Sequence, residues 1–306
     1  MFARILVPVD FSAASDAALD HARMFARAWG GALHLLHVTG ERLTPPHAGG
    51  DRHDEPAALR QIRDRLTDED RHRRLTIRVV ERKAPAEAIL GYARTAGVDL
   101  IVMGTHGRSG VAHLLLGSVA ETVVRGAACP VLTVHQAPRG AASFTRILVP
   151  TDFSAPSDAA LDCARHFQLR FGASIHLLHV LEDEPIAGMF ASEVFVTESS
   201  AARAARLRDA RERLSHRVSA ADRVSGRVTS EILLGPAART IVDYAGDNGF
   251  DLILMGTHGR TGLAHLLMGS VAERVIRGAA CPVMTAHGER PCAVMPAGAR
   301  EAAAVS

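Results

Sequence analysis

Short, nearly continuous apolar runs alternate along this chain with stretches whose apolar residues recur every three or four positions. Runs without polar alternation fit strands covered on both faces, and the three-to-four spacing fits helices with one buried side. The first run opens residues 4–12, RILVPVDFS, and ends at Asp10. Ser12 is a predicted helix N-cap, because a serine oxygen accepts from an early unpaired helix N–H. The helix after it turns Ala18, Ala22, Phe25 and Trp29 to one side. A second strand is predicted over 32–38, followed by a loop over 39–53 and a helix marked by Leu59, Ile62 and Leu66. Further strands are expected at 76–80, 100–103 and 131–134, with helices at 86–96 and 119–127.

The same pattern then starts again. Residues 146–154 read RILVPTDFS, and Ala160, Ala164, Phe167 and Phe171 repeat the helix face 142 positions on. Second, third, fourth and fifth strands are expected at 174–180, 223–229, 252–255 and 283–286, with helices at 237–247 and 271–279. The offset grows to 152 at the later glycine-rich segments, so the second copy carries ten extra residues. They fall around 185–200, where Met189, Phe190, Val194, Phe195 and Val196 suit helix packing, an oligomer surface or a lid. Alternating strands and helices predict an α/β fold with right-handed crossovers. The expectation is two tandem, open, mostly parallel five-stranded sheets flanked by helices, each in the order 3-2-1-4-5 of a Rossmann-like domain. Domain bounds of 1–137 and 144–288 follow, with a flexible tail at 289–306.

Candidate chemistry sits in GTHGRSGVAHLLLGS at 104–118 and GTHGRTGLAHLLMGS at 256–270. Each lies between an apolar strand and a helix. A glycine-rich turn lets backbone N–H groups approach a phosphate, and a helix N-terminus adds unpaired N–H groups and a positive dipole end. Gly104, Gly107 and Gly117, and Gly256, Gly259 and Gly269, are the candidate cradle. Ser118 and Val119, with Ser270 and Val271, open the helices after it. Ser118 either caps its helix or meets a terminal phosphate. Arg108 and Arg260 either balance phosphate charge or are solvated or paired with an acid. The order 3-2-1-4-5 brings the ends of strands one and four together, so Asp10 nears Gly104 and Asp152 nears Gly256. Each aspartate either accepts from a ribose or base N–H, or caps the strand-to-helix turn. Neither segment is a P-loop, and neither is GxGxxG after a first strand. His106 and His258 lack an identifiable nucleophile and orienting acid, which makes local loop structure their expected role and leaves no catalytic residue to name. His34 and His37 fall on opposite strand faces, as do His176 and His179, so neither pair makes a metal site.

Composition changes this picture little. With 306 residues, 47% hydrophobic and 22% charged, the chain has material for two cores, but aromatics supply only 4%. A net charge of +2 gives no case for nucleic acid, and no stretch has the length and apolarity of a membrane span. The N-terminus shows no signal-peptide pattern, so the cytoplasm is the expected compartment. Cys129 and Cys281 occupy equivalent positions, Cys163 lies in a helical stripe and Cys292 in the tail; buried or spare thiols in a reducing compartment are expected.

These residues together resemble the universal stress protein family in tandem form. The pattern G-x2-G-x9-G followed by Ser is met by Gly104, Gly107, Gly117 and Ser118, and again by Gly256, Gly259, Gly269 and Ser270. The openings PVDFS and PTDFS match as well. One departure is Lys83-Ala84 where the second copy has Gly235-Pro236, the usual family arrangement. The resemblance implies ATP or ADP as ligand, usually with Mg2+. It implies that Asp10 with Val38, and Asp152 with Val180, contact the adenosine part. It further implies pairing of the two domains through strands 131–134 and 283–286, a homo-oligomer with a dimer favoured, an unidentified regulatory protein partner and a role in stress response. Slow ATP hydrolysis or phosphotransfer, and a nucleotide-independent dimerisation scaffold, are the alternatives.

Overall fold

The computed structural model describes residues 1–40, 57–81, 84–105, 116–135, 144–182, 200–257 and 268–286. The predicted loop at 39–53, most of the insertion at 185–200 and the tail at 289–306 lie outside the described residues, apart from Thr39, Gly40 and Ser200.

The first repeat contains β1 (Arg4–Pro8), α1 (Ala13–Trp29), β2 (Ala32–Thr39), α2 (Ala57–Asp64), α3 (Asp68–Arg71) and β3 (Leu75–Glu81). It continues with α4 (Pro85–Thr95), β4 (Leu100–Gly104), α5 (Ser118–Gly126) and β5 (Val131–Val134). The second contains β6 (Arg146–Pro150), α6 (Ala155–Phe171), β7 (Ser174–Leu181), α7 (Ser200–Arg217), α8 (Ala220–Ser225) and β8 (Val228–Leu234). It closes with α9 (Ala237–Asp247), β9 (Leu252–Gly256), α10 (Ser270–Gly278) and β10 (Val283–Ala286).

Strands of the first repeat run β3-β2-β1-β4-β5, all parallel. The second repeat runs β8-β7-β6-β9 in the same sense. The chain forms two compact units, Met1–Ser143 with Met284–Ser306, and Phe144–Val283. From Met284 onward β10 therefore belongs to the first unit, where the Thr285 hydroxyl donates to the Val131 carbonyl at 3.3 Å. The compact units and the sequence repeats do not share a boundary.

One expectation needs correction. Of the strand expected at 223–229, residues 223–227 are not strand. Ser219 and Asp222 make a capping box that starts α8, and Gly226 ends it in the left-handed region at φ 64°. The strand begins at Val228 and runs on to Leu234. Nor are all the cysteines thiols: Cys129 and Cys281 are outside any disulfide, but Cys163 is disulfide-bonded.

The cores follow from the strand sequences. Ile5, Leu6 and Val7 are wholly buried, as are Ile147, Leu148 and Val149. Gly30 and Gly172 end α1 and α6 in the left-handed region, and Ser12 and Ser154 cap their starts by accepting from Ser15 N–H and Ser157 N–H. Scarce aromatics are concentrated where they fill most. Phe2, Phe25 and Trp29 form one ring cluster, with centroids 5.2–5.5 Å apart. Phe144, Phe167 and Phe171 form its counterpart. Asp99 then fixes the start of β1 by accepting from the Ala3 and Arg4 N–H groups, as Asp251 does for Thr145 and Arg146.

A second clamp ties α1 to the lead-in of β3. Arg23 donates to Asp70 and to the Arg65 carbonyl, while Asp70 closes the Thr67 capping box. Arg165, Asp222, the Arg217 carbonyl and Ser219 repeat it. Burial raises the Asp70 carboxyl pKa, but the bonds from Arg23 and Thr67 outweigh it and hold the carboxyl below its usual range.

Candidate functional site

In an open parallel sheet, ligands lie beyond the carboxyl ends of the strands where the order reverses. A cavity of about 290 Å³ opens there in the first unit, and one of about 360 Å³ in the second. Such volumes suit part of a drug-sized ligand. Asp10, Val38, Gly104, Gly117, Ser118 and Val119 all line the first. Asp152, Val180, Gly256, Gly269, Ser270 and Val271 line the second. Gly107, Arg108, Gly259 and Arg260, with His106 and His258, lie outside the described residues.

The turn after β1 is built in four steps. Asp10 Oδ1 accepts from the Ser12 N–H at 3.0 Å and from its hydroxyl at 2.6 Å. That bond closes the turn, so the capping role of the aspartate is real and occupies one of its oxygens. Phe11, between them, is forced to φ 67°, a left-handed backbone that costs a bulky side chain about 1–2 kcal/mol. The His37 ring packs on Phe11 at 4.6 Å, and its Nδ1–H donates to the Val9 carbonyl at 2.7 Å. Arg65 also lies over the Phe11 ring, 5.0 Å from its centre, and pairs with Asp16 at 2.7 Å.

Asp152, Ser154, Phe153 at φ 68°, His179 and Arg217 repeat every step. Arg213 adds a second guanidinium 4.5 Å from the Phe153 ring. None of this network was read from the sequence beyond the aspartate and serine. Its one visible signal is the phenylalanine lodged between them in both copies.

The glycines at the far wall have separate reasons. A Cβ on Gly104 would stand 2.7 Å from the Ala14 Cβ, and one on Gly256 2.8 Å from Pro156. These glycines let the strand end pass against the helix start. Gly117 donates its N–H to the Thr105 carbonyl at 2.8 Å, and Gly269 does the same to Thr257 at 2.7 Å. The two ends of each glycine-rich segment are thereby pinned together. Gly117 is also the N-cap of α5, so Ser118 is the first helical residue and does not cap it. The first α5 amide to bond backward is Glu121, onto the Gly117 carbonyl. The N–H groups of Ser118, Val119 and Ala120 thus have no helical partner, and these residues line the cavity. Ser270, Val271 and Ala272 stand likewise at α10.

The histidines fall as expected on opposite faces. His34 meets the Tyr92 hydroxyl at 2.8 Å, away from His37, and burial lowers its pKa. Among the described residues no group of three His, Cys, Asp or Glu side chains stands together to hold a metal. Burial pushes the free Cys281 thiol up to about 11, which disfavours the thiolate.

The two rims differ. Val9, just past the end of β1, is replaced by Thr151, whose hydroxyl meets that of Ser157 at 3.1 Å. Gly40 is replaced by Glu182, whose Oε1 accepts from the Ala237 N–H at 2.7 Å. α4 starts with Pro85, which has no N–H to satisfy; α9 starts with Ala237, which has one, and Pro236 stands one place earlier as N-cap.

A doubled α/β unit with a cleft at the strand reversal, lined by an aspartate and an uncapped helix start, defines a class of ligand-binding domain rather than one chemistry. The universal stress protein family model matches residues 1–135 and again 143–287. This chain belongs to the universal stress protein family, with two copies of its domain. A universal stress protein of Methanocaldococcus jannaschii is 34% identical over 144 residues, covering 46% of this chain and 81% of that protein. One from Mycolicibacterium smegmatis is 29% identical over 297 residues, covering 92% of this chain and 95% of the other. The crystal structure of a universal stress protein from Archaeoglobus fulgidus has the same fold, with a TM-score of 0.64 at 23% identity. It covers 93% of this chain and 98% of the other. Among the described residues no helix is long and apolar enough to cross a membrane.

Proposed function

We propose that the chain binds an adenine nucleotide, ATP or ADP, in each of its two cavities and acts as a nucleotide-responsive regulator or protective factor in a stress response. The observation that carries the reading is the convergence, twice, of a carboxylate and an uncapped helix N-terminus on one cavity. In this reading Asp10 and Val38, with Asp152 and Val180, face the nucleoside. The free N–H groups at Ser118 and Val119, and at Ser270 and Val271, face phosphate oxygens. Gly107, Arg108, Gly259 and Arg260 complete the phosphate contacts. Magnesium enters on the phosphates, with water and the ligand supplying most of its oxygens. The protein works in the cytoplasm as a homodimer and passes its state to a regulatory protein.

Denaturing freshly purified protein and identifying the released small molecules by mass spectrometry tests this directly. Two adenine nucleotides per chain is the expected result. One would make the cavities unequal in occupancy. None, together with no binding of added ATP and magnesium, would overturn the reading in favour of a scaffold.

A further inference from the structure

The rims differ at one position whose chemistry bears on the choice of ligand. Glu182 follows β7 directly, two residues beyond Val180, so both belong to the wall that the nucleotide reading assigns to the nucleoside. Its main chain is held by Arg206, which donates to the Glu182 carbonyl at 2.8 Å. Its side chain is held by the Ala237 N–H on Oε1. The other oxygen, Oε2, has no hydrogen-bond partner among the described residues, and the residue lines the cavity. A held carboxylate oxygen with no internal donor is an acceptor waiting for one. The first cavity has Gly40 at this position, with no side chain to offer there.

Resting on the nucleotide reading, we propose that Glu182 makes the second cavity selective for a ring bearing an exocyclic amino group over one bearing a carbonyl there, and that the first cavity lacks this selection. An amino group donates to Oε2; a carbonyl oxygen placed against it leaves two acceptors facing each other. Glu182 is exposed, so water competes for Oε2, and the discrimination is that of one solvent-facing hydrogen bond to a charged group.

The test measures ATP against inosine triphosphate, which carries a carbonyl in place of the amino group, by calorimetric titration of the full chain. Asp10→Ala silences the first cavity and Asp152→Ala the second; Ser118→Asp and Ser270→Asp replace them if the turn does not survive. With only the second cavity active, ATP is expected to bind about tenfold more tightly. With only the first active, the two ligands should bind within a few-fold of each other. Glu182→Gln then gives the sharper readout. An amide NH2 cannot accept from Ala237, so the amide oxygen must stay on that N–H and the NH2 replaces Oε2. The preference should swing towards inosine triphosphate with the fold intact. A helix-capping role alone leaves the ratio unmoved, and that result would overturn the proposal, as would equal ratios in the two cavities. If the unmodified chain binds neither nucleotide, the reading beneath the proposal falls with it.

Discussion

The two repeats agree wherever a residue holds the frame and part company where it faces outward or onto the rim. Asp10, Phe11, Ser12, His37 and Arg65 have one-to-one counterparts in Asp152, Phe153, Ser154, His179 and Arg217. Val9, Gly40 and Arg78 do not; they face Thr151, Glu182 and Glu231 at the matching places. The strained turn depends on every member at once, because a phenylalanine in the left-handed region persists only where its surroundings over-determine it. A rim residue depends on little else and is free to change what the cavity meets.

The severest way to break the comparison is through the ring clusters. Phe25 and Phe167 are both wholly buried, so Phe25→Ala and Phe167→Ala should each cost about 3–5 kcal/mol in urea denaturation. A large gap between them would mean the two cores are not equivalent. Gly104→Ala and Gly256→Ala come next, at about 1–3 kcal/mol each, since a Cβ at either meets helix backbone below 3.0 Å.

Asp70→Asn and Asp222→Asn should separate the halves. The Arg23–Asp70 pair is 2.6 Å long with the carboxylate 2% exposed; Arg165–Asp222 is 3.4 Å long with 13%. The expected costs are about 2 and about 1 kcal/mol. Both carboxyls sit below their usual range despite the upward push of burial, Asp70 through Arg23 and Thr67, Asp222 through Ser219 and Arg165. Their contribution is therefore complete above the unfolded value near pH ~4 and is lost as the pH falls through the folded ones. Acid denaturation monitored by circular dichroism should show this limb, and Asp70→Asn should flatten it.

The mildest test is optical. Burial, then the hydrogen bond and charge of Glu231, push the Tyr244 hydroxyl up to about 12. Burial also raises Tyr92, but Arg78 pulls against it. The unfolded tyrosine ionises first, so stability falls as pH rises from about 10 towards the folded value of Tyr244. Followed by ultraviolet absorbance, Glu231→Gln should lower the Tyr244 transition and Arg78→Ala should raise that of Tyr92. Shifts of the same sign would remove this difference between the halves.

Most strands and helices were legible because continuous apolar runs and serine caps are local signals. The β8 register was not: residues 223–229 contain the end of α8, and the Ser219–Asp222 box outweighed the strand reading. The described cavity residues were legible as positions, through the two motifs. Their physical reasons were not, because those reasons span the chain. Gly104 is small on account of Ala14, ninety residues earlier, and Glu182 answers to Ala237, 55 residues later. The Asp10 turn showed its serine partner, yet nothing in sequence reports that Phe11 sits left-handed beneath His37.

The grouping of Met284–Ala286 with the first unit has a consequence for the order of events at the ribosome. The first unit cannot be completed when its own repeat has been made. It waits, with the Val131 carbonyl lacking the Thr285 hydroxyl, until the whole of Phe144–Val283 has emerged. A nascent chain halted a few residues short of that strand should therefore leave the β5 side of the first unit more open to hydrogen exchange than it is in the finished chain.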